Sequence, residues 1–325
     1  MKAVSYNRYG APEVLQLVDV PKPSISDTQI LVKIIATSVT QVDTAFRSGS
    51  ALLTRLFTGM FRPKKPILGT ELAGIIVATG AKVSRFQVGE KVFGAAPGGV
   101  GAHAQFIAMS EHAAIVTLPK EMSFEEGAVV NNGALTALPF LRDCANLRAG
   151  QTILIIGASG SIGSYAVQLA AQMGAHVTGC CSSANLEMVR DLGAANLIDY
   201  TKTDFTKCQT RYDVIFDTVG KTSFQKARGN LERDGVFITA TPDPTILCAP
   251  ILRLFGGGQR AKMSATGMRK DALKIVDMDA LKQMFKAGTL VAVIDRSYPL
   301  EAIQTAHEYV EAGHKRGNLV VLVPH

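Results

Sequence analysis

Residues 154–170 read LIIGASGSIGSYAVQLA. An apolar run enters a turn carrying Gly157, Gly160 and Gly163 and leaves as an apolar-periodic segment. TILII before the turn predicts a strand. Beyond it, Ile162, Tyr165, Ala166, Leu169, Ala170 and Met173 recur on one face of a helix. A glycine-rich strand-to-helix turn lets backbone N–H groups approach a diphosphate at a helix N-terminus. Ser159, Gly160, Ser161 and Ile162 are then the residues that face it. The alternative is a tight turn with no ligand. Strand, turn, helix and a following strand in that order favour the cradle.

Working outward, strand and helix alternate from residue 150 onward. HVTGCC at 176–181 is the next strand, and NLEMVRDLGA at 185–194 is a helix stopped by Gly193. NLIDY, YDVIFD and GVFITA are further strands, with FQKARGNL a helix between the last two. Repeated βα units imply a parallel sheet with helices on both faces. Residues 1–120 have another texture. ILVKIIATSV (30–39), AGIIVATG (73–80), KVFGAA (91–96), AQFIAM (104–109) and IVTLP (115–119) are short strands between glycine turns, a compact antiparallel unit. Ser123 and Glu126 form a capping-box pattern at the join. After about residue 266 come helices at 278–288 and 300–313 and a last strand at 319–323. Whether that strand returns to the first unit is open from sequence alone.

The 325 residues are 47% hydrophobic and 19% charged, an ordinary globular balance that suits two domains. No apolar run is long enough to span a bilayer, and the N-terminus lacks the apolar run of a signal peptide, so a cytoplasmic protein with no stable membrane insertion is expected. The net charge of +7 is dispersed, apart from short clusters such as RPKK (62–65) and HKR (314–316). That excludes no anionic ligand but carries no nucleic-acid motif. The cysteines, Cys144, Cys180, Cys181, Cys208 and Cys248, are odd in number and show no disulfide pattern.

The second strand of the α/β block ends at Cys180–Cys181 and is followed by SSAN. No carboxylate appears until Glu187. A carboxylate here would favour NAD. Ser182, Ser183 and Asn185 instead can donate to a 2′-phosphate, so NADPH is expected. Thr218 and Val219 in DTVG, and Thr239 to Thr241, stand at the carboxyl ends of strands, where open α/β sheets bind ligands.

The whole chain resembles the medium-chain dehydrogenase/reductase superfamily, in its zinc-independent quinone oxidoreductase branch. The matching segments run in family order from MKAVSYNRYGAPEVLQL (1–17) through GTELAGIIVATGAKVSRFQVGEKVFG (69–94), GALTAL (133–138) and LGAANLIDY (192–200) to GHKRGNLVV (313–321). The resemblance implies an α/β protein: a Rossmann doubly wound parallel sheet at 123–266, plus a GroES-like β domain built from 1–122 and 267–325. It also implies a homodimer. It places ATSVTQVD beside the nicotinamide, with Thr40 where relatives carry Asn. Thr40 is a substrate-contact candidate, and Asp43 either shares that role or fixes the loop. Thr136 and Tyr200 are cofactor contacts by resemblance, and Asn131 and Asn132 are pocket candidates. Asn318 stands where the family often has Lys near the cofactor.

Zinc members carry a Cys in the segment matching SVTQVD and a GHE motif. Here SVTQVD has no Cys or His, and GTE at 69–71 puts Thr70 in the histidine position. No metal is expected. His103, His112 and His176 read as core or surface groups. Without a Lewis acid the substrate must already be electrophilic, which fits a quinone or an α,β-unsaturated carbonyl. The expected function is NADPH-dependent reduction of such a substrate. The alternatives are an enoyl-thioester reductase and a non-catalytic NADPH-binding redox sensor. A short-chain dehydrogenase is excluded, since no Tyr has Lys at the fourth following position. The segment 52–65, LLTRLFTGMFRPKK, can roof an apolar pocket, pack, or touch an anionic membrane.

Overall fold

The computed structural model describes residues 1–50, 52–241, 258–313 and 315–325, with all their side chains except those of Leu52, Leu53 and Phe57. Cys248 and His314 lie outside the described residues. Two compact units form: Met1–Asn132 with Lys270–Ala287 and Ile294–His325, and Gly133–Arg269 with Gly288–Val293.

The second unit is built on a six-stranded, wholly parallel sheet. In spatial order its strands are Asn196–Asp199, His176–Cys181, Thr152–Ile156, Tyr212–Asp217, Leu231–Thr239 and Arg260–Met263. In chain order that is 3-2-1-4-5-6, the doubly wound arrangement whose order reverses between the first and fourth strands. The central strands carry apolar runs, as burial on both faces requires: Ile153, Leu154, Ile155 and Ile156 are all buried, as are Val214, Ile215 and Phe216 of the neighbouring strand. Leu154, Ile156, Cys180, Ile215, Phe224 and Phe237 share one core cluster. The helix Ser161–Gln172 is buried without interruption from Gly163 to Ala170, a wider face than its apolar periodicity predicts. Gln168 accounts for part of this. Its Nε2 donates to the Val291 carbonyl and its Oε1 accepts from the Val291 N–H, which ties the short return segment to the helix.

The first unit holds a seven-stranded sheet. Gln29–Ser38 is its hub, paired antiparallel with Glu71–Thr79, Phe106–Ser110 and Asn318–Leu322. The last strand therefore does return to the first unit, with Val320 opposite Ser38. Both chain ends share one core, in which Val4, Ile30 and Leu72 lie with Ile303, Val310 and Leu319. Arg47, fully buried on the helix Gln41–Ser48, pairs with Glu311 at the end of the helix Ile303–Glu311. The capping box at Ser123 is present: its hydroxyl accepts from the Glu126 N–H, and Glu126 accepts in return. The helix expected at 278–288 begins earlier, at Asp271. In the 52–65 segment Phe61 is 92% and Leu56 57% exposed, so both rings and methyls face solvent.

Candidate functional site

The cradle is set by close approaches at two of its three glycines. Gly157 has φ +76°, a conformation that excludes most side chains, and an added Cβ would meet Val219 at 2.6 Å and the Thr218 hydroxyl at 2.8 Å. Its N–H donates to the Cys180 carbonyl, which locks the turn onto the neighbouring strand. At Gly163 a Cβ would lie 2.1 Å from the Gly157 carbonyl oxygen, so only glycine lets the helix sit against the turn. Gly160 is different. Its φ is −82°, and a Cβ there would meet only the Gly157 oxygen, at 3.3 Å, with open space beyond. The twelve-residue helix starts at Gly160 with no side-chain cap, so the positive end of its dipole is available to an anion. These residues fit the diphosphate of a dinucleotide.

Thr218 and Val219 sit beside this turn, at the point where strand order reverses. The Thr218 N–H and hydroxyl both donate to the Ile156 carbonyl, at 3.1 and 2.8 Å. Asp217 accepts from the N–H groups of Val219, Gly220 and Thr222 and so shapes the loop. Asn185 ties the loop after the second strand to the cradle, its Nδ2 donating at 3.2 Å to Ser159 Oγ and at 3.2 Å to Ser182 Oγ. Ser159, Gly160, Ser161, Ile162, Ser182, Asn185, Thr218 and Val219 therefore belong to one strand-end cluster. Tyr200 borders it, its N–H bonded to the Cys181 carbonyl and its ring 56% exposed. Thr239 is buried and bonds within its own turn to Thr241. The Thr136 hydroxyl meets that of Thr266 at 3.3 Å. Thr40, Asp43 and Asn318 belong to the first unit.

There, Asp43 is fully buried. Its Oδ2 accepts from the Thr40 N–H at 2.8 Å, the Thr40 hydroxyl at 2.6 Å and the Thr70 hydroxyl at 3.3 Å. Its Oδ1 accepts from the Gly69 N–H at 3.1 Å. Thr40 caps the helix Gln41–Ser48 in a capping box whose third residue is Asp43. The Thr40 proton is thus spent on Asp43. Thr40 faces any substrate as an oxygen acceptor unless it turns away from that carboxylate. Asn131 is buried with neither amide atom hydrogen-bonded.

Two groups that the sequence reading left without a role stand out next to this loop. Glu71 is buried, accepting from Ser38 Oγ at 2.5 Å and from the Asn132 N–H at 2.8 Å. Burial pushes its carboxyl up to about 7, against the pull of those two hydrogen bonds. Burial brings the Lys315 ammonium down to about 8, with Glu71 and Asp295 opposing the shift. The only sequence signal for Glu71 is its place in GTE.

Glu71 binds its proton more tightly folded than unfolded, so its contribution to stability is full below pH 4.5 and is lost as pH rises to about 7. Lys315 releases its proton more readily when folded, so stability is recovered as pH rises from about 8 towards 10.5. Urea unfolding of the intact chain is expected to weaken between pH 5 and 7, by about 3 kcal/mol at most. Glu71→Gln is expected to flatten that decline. A variant that keeps the full slope would show that another group causes it.

Among the described residues no three His, Cys, Asp or Glu side chains stand close enough together to hold a metal. At the position of the zinc motif, Thr70 bonds Asp43, and Glu71 bonds Ser38 and Asn132. His103 Nε2 meets the Ser38 carbonyl at 2.8 Å. These residues do not fit a zinc ion. Cys180 and Cys181 are buried thiols, pushed up by burial to about 12 and about 11.

A doubly wound parallel sheet with this glycine turn after its first strand, in one chain with a β unit made from both ends, is the architecture of a dinucleotide-binding protein. The comparisons with known proteins agree. Residues 26–120 match the alcohol dehydrogenase GroES-like domain, and residues 192–321 match the zinc-binding dehydrogenase family model. The chain is 30% identical to a chloroplast envelope quinone oxidoreductase homolog of Arabidopsis thaliana, covering 99% of this chain and 98% of that protein. It is 28% identical to an NADPH-dependent alkenal/one oxidoreductase of the same plant, covering 99% and 79%. A solved quinone oxidoreductase from Coxiella burnetii superposes with a TM-score of 0.88 at 28% identity, over 100% of this chain and 99% of that one. The chain belongs to the medium-chain dehydrogenase/reductase superfamily, in its quinone oxidoreductase-like branch, and is an oxidoreductase. Among the described residues no helix is long and apolar enough to cross a membrane.

Proposed function

We propose that this chain is a zinc-independent, NADPH-dependent reductase that transfers hydride to quinones or α,β-unsaturated carbonyls. The observation that carries the reading is the presence in one chain of an intact diphosphate cradle and of a motif position where Thr70 bonds Asp43 and Glu71 bonds Ser38 and Asn132. When bound, the nicotinamide supplies a hydride. The chain's own residues do the rest. Gly157, Gly160 and the first turn of the helix Ser161–Gln172 hold the diphosphate. Ser182 and Asn185 face the adenosine ribose. Thr136, Tyr200, Thr218, Val219 and Thr239 of the second unit take the remaining cofactor contacts, and Asn318 of the first unit is a cofactor contact by the family resemblance alone. Asp43 holds Thr40 in position, and the unpartnered amide of Asn131 is the polar group that can orient a carbonyl. No Lewis acid is supplied, so the substrate must delocalise the arriving charge through its own conjugation. Burial keeps Cys180 and Cys181 as unreactive thiols, and the alternative of a non-catalytic NADPH-binding redox sensor is decided by turnover. A homodimer, implied by the family resemblance, and a cytoplasmic location complete the proposal.

The test is consumption of NADPH with a benzoquinone, a naphthoquinone, an enone and an enoyl thioester, with and without a chelator. Turnover of a quinone or enone that the chelator leaves unchanged is the expected result. Tight NADPH binding without turnover of any of the four would make the chain a non-catalytic binder, and turnover of the thioester alone would make it an enoyl-thioester reductase.

A further inference from the structure

The loop after the second parallel strand carries an acidic group that its own sequence lacks. Asp199 ends the third strand, and parallel pairing sets it opposite Cys181, the last residue of the second. Its carboxylate therefore stands beside Ser182–Asn185. Ser183 Oγ donates to Asp199 Oδ2. Thr201 donates to Oδ1 through its hydroxyl at 2.6 Å and its N–H at 3.0 Å. Lys202 Nζ lies 3.5 Å from Oδ2. The hydrogen bonds from Ser183 and Thr201 hold the carboxyl down at about 2, so it is charged at any working pH. On the other side of the same loop, Asn185 bonds Ser159 of the cradle and Ser182. The loop is thus fixed between the diphosphate turn and a carboxylate.

We propose that Asp199 is the residue that limits this cradle's preference for NADPH. Its carboxylate occupies, from the neighbouring strand, the place beside the adenosine ribose that an acid on the second strand would take. It engages Ser183, which would otherwise donate to a 2′-phosphate, and it opposes that phosphate by charge. The same carboxylate accepts from an unphosphorylated ribose, so NADH is admitted as well. Lys202, paired to Asp199, is the one cation these contacts bring to the loop. The inference rests on the reading of the cradle as a nicotinamide dinucleotide site and deepens it by assigning the choice between the two dinucleotides.

The experiment is direct titration of the intact protein with NADPH and with NADH, for the native chain, Asp199→Asn and Ser183→Ala. The native chain is expected to bind both, with NADPH favoured by less than about tenfold. Asp199→Asn removes the charge and keeps an acceptor. It is expected to tighten NADPH about tenfold while NADH moves less than about twofold. Ser183→Ala keeps the charge and is expected not to raise the NADPH preference. Because both nucleotides are measured on one preparation, a folding defect cannot mimic a change in their ratio. An unmoved ratio in Asp199→Asn overturns the inference, as does an equal rise in Ser183→Ala, which would assign the effect to loop shape. Failure of the native chain to bind either nucleotide instead overturns the cradle reading.

Discussion

Gly163→Ala is expected to collapse the nucleotide-binding unit, whereas Gly160→Ala is expected to fold normally and lose the nucleotide. The two glycines lie in one turn and differ in what a single methyl would meet. At position 163 the added carbon falls 2.1 Å from the Gly157 carbonyl oxygen and 2.8 Å from Ala158 Cα, both backbone atoms. Neither can move without shifting the turn or the helix, so a cost of about 3 kcal/mol or more follows. That is a large share of a marginal stability. At position 160 the backbone is extended, with φ −82° and ψ −178°, which any residue adopts, and the nearest atom is 3.3 Å away. Stability should change by about 0.5 kcal/mol or less. The methyl would stand in the open face of the turn, where the diphosphate must come close to the backbone. Dinucleotide affinity is expected to fall at least about tenfold, which corresponds to about 1.4 kcal/mol. Urea unfolding and nucleotide titration on the two variants decide the matter. Undiminished binding by Gly160→Ala would remove the diphosphate from this turn.

The contrast between those glycines also marks how much the sequence could tell. The order strand, glycine turn, helix, strand is local, and periodicity reads local structure well. The parallel block and the Ser123 capping box could be read for that reason. Asp199 could not. The second strand and its loop carry no carboxylate before Glu187. The relevant one arrives through parallel pairing with a strand further along the chain, a non-local fact that no spacing rule reports. Glu71 differs: in the sequence it is only part of a motif that lacks its histidine, and burial, which perturbs its carboxyl, is a property of the fold. The buried face of the helix Ser161–Gln172 is wider than its apolar periodicity because Ser164 and Gln168 are polar and are buried through partners such as Val291.

Asp43→Ala is expected to have the largest effect in the first unit, and the reason separates positioning from chemistry. Asp43 is fully buried, and its two oxygens satisfy four donors on three residues: Thr40, Gly69 and Thr70. Truncation leaves the buried N–H groups of Thr40 and Gly69 without an acceptor, at about 1–3 kcal/mol each, and removes the capping box. A loss of about 3–5 kcal/mol follows, measurable by urea unfolding. Asp43→Asn keeps one acceptor oxygen but turns an amide towards donors, so its loss should be intermediate. Thr40→Ala removes one cap hydroxyl and should cost about 1 kcal/mol. Because Thr40 and Asp43 are bonded to each other three times, the double variant Thr40→Ala/Asp43→Asn should fall short of the sum of the singles by about 1 kcal/mol. Additive losses would mean that the two side chains act separately, and Asp43 would then need a role of its own in turnover. Coupled losses, with Thr40→Ser restoring both stability and NADPH consumption, would make Asp43 the residue that aims Thr40 and nothing more.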